Sequence, residues 1–68
     1  MEHTYKHIEI TGSSTEGSDQ AIRNAIAKAS ESIRHIHWFE VVEQRGYVEG
    51  DGVKYWQVTL KIGFRISD

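Results

Sequence analysis

The chain has 68 residues, no cysteine, and a formal net charge of −2 from 8 Lys and Arg against 10 Asp and Glu. That length makes residues 1–68 one small domain with a marginal core of its own. With disulfides and thiolate zinc excluded, a reducing, cytoplasmic setting is expected, and self-association is the main source of added stability. The mixed charge argues against a nucleic-acid or other polyanion partner, and the sequence has no apolar run of about 18 residues to span a membrane. "MEHTYKHIEI" also lacks the cationic-then-apolar pattern of a signal peptide.

Residues 4–11, "TYKHIEIT", alternate as a strand, with Ile8 and Ile10 on one face and His7, Glu9 and Thr11 on the other. "GSSTEGS", Gly12 to Ser18, is rich in turn formers and reads as a connection. Ser18 is a candidate N-cap, and Asp19 suits the positive end of a helix dipole. Ala21, Ile22, Ala25, Ile26, Ala29, Ile33 and Ile36 then recur at helical spacing, with Arg23, Asn24, Lys28, Glu31 and Arg34 on the polar side. The pattern predicts a helix from about Asp19 to His35, whose inner alanines let a sheet come close.

After His37 the pattern is extended. "WFEVVEQRGYVE" and "VKYWQVTLKIGFRIS" flank Gly50-Asp51-Gly52, a hairpin signal because glycine accepts the positive φ of primed turns. In the last strand Trp56, Val58, Leu60, Ile62, Phe64 and Ile66 share one face, and Tyr55, Gln57, Thr59, Lys61, Gly63 and Arg65 the other. The expected class is α+β in β-α-β-β order, a three-stranded antiparallel sheet wrapped around one helix. No second layer covers the other sheet face, which in an oligomer becomes a contact or binding surface.

A tight register around the hairpin lays Phe39 and Val41 over Phe64, Ile62 and Leu60 on the helix side. Trp38 then falls on the helix-free face near Gly63 and Arg65, with Gln57 on that same face. A glycine beside the indole leaves room for a planar group. On spacing alone, a Trp38 that fills a gap at the helix–strand corner stands level with this reading. Gln57 has one acceptor and two donors with which to read the edge of a uracil-like or pteridine-like ring; a solvated strand glutamine is the simpler alternative. Arg45 and Arg65 can stack on or pair with an anion, although strand arginines more often pair with carboxylates such as Glu40 or Glu43.

His3, His7, His35 and His37 have no ligand spacing, so no metal site is expected. "TGSSTEGS" joins strand to helix but lacks the lysine and spacing of a P-loop. No nucleophile–base pair or paired carboxylates stand out, and no catalytic residue is assigned.

"WFEVVEQRG" (Trp38 to Gly46), "YWQVTLKIGFR" (Tyr55 to Arg65), "HIEITGSS" and "AIRNAIAKASESIRHIHWF" together resemble the dodecins over nearly the whole chain, from about Tyr5 to Ser67. That resemblance implies a small flavin-binding protein that assembles as a hollow homododecamer, with flavin pairs stacked between two tryptophans at subunit interfaces. Trp38 matches the stacking tryptophan, and Gln57 the glutamine bonded to the isoalloxazine edge. Arg45 matches a pocket arginine of the bacterial members, where FMN is favoured. Arg65 matches a basic position suited to the phosphate. The segment "TEGSDQA" departs from the family by lacking a bulky residue before the helix. Riboflavin or FAD in place of FMN, and coenzyme A as a further ligand, stay open.

The reading is therefore a non-enzymatic protein for flavin storage, buffering or photoprotection. The alternatives are a small single-stranded nucleic-acid-binding module and a flavin-dependent enzyme.

Overall fold

The computed structural model describes residues 2–66; Ser67, the end of the resemblance, lies outside them. The elements are β1 (Tyr5–Ser14), α1 (Ser18–Ser30), β2 (Ile36–Glu49) and β3 (Gly52–Arg65). The sheet is antiparallel in the order β1-β3-β2. The expected β-α-β-β class is therefore observed, with β3, the most regularly alternating stretch, in the centre.

Several boundaries differ from expectation. β1 runs on through Gly12, Ser13 and Ser14 instead of ending at Thr11, pairing these residues with Val58, Gln57 and Trp56. Gly12 is there for packing: a Cβ at that position would collide with the Ala21 carbonyl oxygen and come within 2.7 Å of Ala25 Cβ. The helix therefore lies directly on the strand backbone at this point. The cap is Gly17, with no side-chain cap bond, and Ser18 is already helical. The Gly17 carbonyl accepts from Ala21 N at 3.1 Å, and Asp19 does sit in the first turn. Asn24 Nδ2 donates to the Ser13 carbonyl at 3.0 Å and ties the helix to the end of β1.

The helix stops at Ser30, short of His35. Glu31 N bonds Lys28 O and Ser32 N bonds Ala29 O, an i→i−3 tightening typical of a helix end. His35 then takes a left-handed φ of 64° and turns the chain into β2. Ile33 and Ile36 still pack against the core, but from the loop after the helix and from the start of β2. Their spacing imitated two more helical turns.

The hairpin forms as expected, with Gly50 at φ 64°. The buried core is Ala21, Ala25 and Ala29 against Val58, Leu60 and Ile62. Ile8, Ile10, Ile22 and Ile26 pack around it. The helix contacts β1 and β3 but barely reaches β2. Phe39 and Val41 do occupy the helix side of the sheet, opposite Ile62 and Leu60, yet each remains 47% exposed. Between them and the helix runs a groove of about 580 Å³ lined by Asp19, Ile22, Arg23, Ile26, Ala27 and Phe39. A single chain thus leaves an apolar strip open where a core would normally continue.

Candidate functional site

The helix-free face is built by β3 and its two neighbours. Gly63, Lys61, Thr59, Gln57 and Tyr55 point to it from β3. From β1 come their partners His7, Glu9, Thr11 and Ser13, with Tyr5 opposite Arg65. From β2 come Trp38, Glu40, Glu43, Arg45 and Tyr47. Simple alternation would not put Trp38 and Arg45 on one face, because their separation is odd. The ladder shifts between Val41 and Glu43, leaving Val42 as an extra residue in a β-bulge. Every side chain beyond it changes face, and Arg45 arrives opposite Gln57. Two further shifts lie between Ile36 and Trp38, at the start of β2, and between Tyr47 and Val48, near the tip. The shifts at Val42 and at Tyr47 flank Gly46.

Trp38 lies opposite Gly63. A Cβ on Gly63 would run into Cζ2, Cη2 and Cε2 of the indole. The ring therefore rests on the bare strand backbone, so the space left by the glycine is taken up by the indole and not by a separate planar group. Tyr5 closes one edge, with ring centroids 5.5 Å apart at 65°, and His37 lies 5.3 Å beyond Tyr5. Trp38 stays 40% exposed, which settles against its filling a core gap. Arg65, opposite Tyr5, is half-buried. Its Nε is buried and has no hydrogen-bond partner among the described residues, although its backbone N–H donates to the His35 carbonyl at 3.0 Å. A buried guanidinium N–H without an acceptor is costly, and such groups are normally met by another molecule or by water.

The second cluster centres on Gln57. Arg45 Nε donates to Gln57 Oε1 at 3.1 Å, and Arg45 Nη1 is 3.6 Å from Glu43 Oε1. Arg45 thus does pair with a carboxylate, as exposed strand arginines tend to, while also holding the glutamine. Gln57 lines a shallow cleft of about 430 Å³ with Ser13, Ser14, Thr15 and Tyr55. Tyr55 and Tyr47 stack above it, 4.6 Å apart at 22°. Beside it Thr11 and Thr59 share a hydroxyl–hydroxyl bond of 2.9 Å.

The four expected residues therefore share one face but fall into two pairs, Trp38 with Arg65 and Gln57 with Arg45. From Gly63 to Gln57 the strand rises roughly 20 Å at about 3.4 Å per residue. Tyr5, the edge contact of Trp38, was not singled out by its sequence. The register that joins it to Arg65 depends on β1 pairing with β3, which local pattern does not show. Among the described residues no three His, Cys, Asp or Glu side chains come together as a metal-holding group, and no helix is long and apolar enough to cross a membrane.

The Dodecin family model matches residues 4–67. The chain belongs to the dodecin family. It is 46% identical over 68 residues to the dodecin of Thermus thermophilus, covering 100% of this chain and 99% of that one. The solved dodecin of Streptomyces davaonensis superposes with a TM-score of 0.95 at 48% identity, over 100% of both chains. Solved structures of the Thermus dodecin include R45A, W38F and R65A variants, each with a TM-score of 0.93; the same three residue types carry those numbers here. A more distant member, the calcium dodecin of Mycobacterium tuberculosis, is 31% identical over 62 residues, 91% of this chain and 87% of that one.

Proposed function

We propose that this dodecin binds flavin, FMN or riboflavin, without turning it over, and that it does so between copies of itself in a hollow homododecamer. The observation that carries the reading is the indole of Trp38, laid flat on Gly63 and open on its outer side. It is a ready platform for an aromatic tricycle. Stacking there contributes roughly 1–3 kcal/mol per ring, by analogy with bases on aromatic side chains. The unpartnered Nε of Arg65 lies at the same end of the face and is suited to an acceptor such as the FMN phosphate.

The distance between Trp38 and Gln57 within one chain bears directly on assembly. A tricycle centred on one indole does not span roughly 20 Å, so Gln57 meets that flavin only if another copy brings it there. The open groove beside Phe39 and the exposed edge of β2 supply surface for such copies. In this arrangement the indole donates an electron to the excited ring and quenches it, so storage, buffering or photoprotection needs no acid or base.

The test is a fluorescence titration of FMN with the wild-type chain and with Trp38→Ala. Quenching and tight uptake by the first but not the second are expected; equal quenching by both would remove the proposal.

A further inference from the structure

We infer that Arg45 is a positioning residue that acts through Gln57, turning its carboxamide so that the NH2 group, not the oxygen, is offered to the ligand. The inference deepens the flavin reading above and rests on it. Arg45 and Gln57 face each other across the ladder, and Nε donates to Oε1 at 3.1 Å. The other side of the guanidinium is held toward Glu43 at 3.6 Å, so the donor itself has a fixed direction. Flipping the amide would set NH2 against N–H, exchanging a charge-assisted bond for a repulsive contact. The oxygen is thereby committed, and the two N–H donors are left for the cleft bounded by Ser13, Ser14, Thr15 and Tyr55.

A site so arranged reads a ring edge that accepts. Isoalloxazine has such edges at O2 with N1 and at O4 with N5, on either side of the single N3–H donor. The ligand class is accordingly a flat heteroaromatic with neighbouring carbonyl oxygen and imine nitrogen, and the contact made by Gln57 is donation to that pair. An arginine at this position then matters even for a ligand without a phosphate. That separates this role from direct pairing with an anion.

Riboflavin, which has no phosphate, is the probe. Gln57→Glu keeps the shape and gives Arg45 a better acceptor, but it replaces the donors with a second acceptor. Its riboflavin affinity is expected to fall at least tenfold, whereas affinity equal to or above wild type would mean that N3–H is read and would overturn the inference. Arg45→Met is expected to weaken riboflavin binding about three- to tenfold, the worth of one oriented hydrogen bond. It should also move the vibrational bands of the bound flavin carbonyls toward those seen with Gln57→Leu, and Arg45→Lys should recover part of both. A merely structural Arg45 would lower thermal stability and leave the bands in place; unchanged bands and affinity in Arg45→Met overturn the positioning role. If the wild type takes up neither FMN nor riboflavin, the flavin reading fails and this inference with it; if it takes up FMN but no riboflavin, this inference alone fails. If it binds and Gln57→Glu binds equally well, this inference alone fails.

Discussion

The indole of Trp38 lies on the backbone of Gly63, a contact that only glycine permits, since a Cβ there would overlap three indole carbons. Gly63→Ala is therefore expected to lever the ring off the strand. The variant should still fold, because Gly63 faces away from the Val58, Leu60 and Ile62 core. FMN affinity should fall at least tenfold, read by quenching, with near-native far-ultraviolet circular dichroism. Retained affinity would mean that the flat seating of the indole is not what the ligand uses.

How much of this was legible in the sequence depends on range. Alternation along β3 and the alanine stripe of α1 were readable because each face is set by neighbours within a few residues. The extension of β1 through Gly12 was not. A glycine needed for close helix approach looks, in the chain, the same as one needed for a turn. The end of α1 was hidden because Ile33 and Ile36 keep helical spacing while packing from non-helical backbone. For the site, the face of Trp38 followed from the hairpin. The face of Arg45 did not, since it hangs on the bulge at Val42, and a valine among valines gives no sign of one. The roughly 20 Å between the two pairs is visible only once β3 is laid out as a straight ladder.

Gly12→Ala is expected to destabilise the fold directly. The added methyl meets the Ala21 carbonyl and Ala25 Cβ, and neither is the free end of a flexible side chain. Overpacking of this kind costs about 1–3 kcal/mol, and each kcal/mol corresponds to about 4–8 °C in Tm for a domain of this size. Thermal unfolding at matched protein concentration checks it, because assembly adds its own contribution to Tm. A variant as stable as wild type would show that α1 does not rest on β1 as described.

Phe39→Glu tests the open strip beside the helix. Phe39 is 47% exposed and borders the groove with Ile22, Ile26 and Ala27, so a carboxylate there is tolerated by a lone chain. Buried against a second copy without a partner, it is not. Sedimentation velocity is expected to show this variant shifted to small species that retain helix and sheet. If it sediments with wild type, the groove is not an assembly surface.

Deleting Val42 tests the bulge. The extra residue is removed, so Val41 stays opposite Leu60 and Glu43 follows it directly opposite Thr59. The register on both sides is therefore unchanged: Arg45 stays opposite Gln57, and the 3.1 Å bond between them is kept. Trp38, Phe39 and Val41 precede the deletion and keep their positions over Gly63, Ile62 and Leu60. What is lost is the local bend and extra twist that a bulge adds to its strand. The variant should therefore retain the indole platform and its quenching of flavin, and hold riboflavin within about threefold of wild type, less than one oriented hydrogen bond is worth. A larger loss of riboflavin affinity with quenching retained would show that the twist at the bulge, and not register alone, aims Arg45 at Gln57.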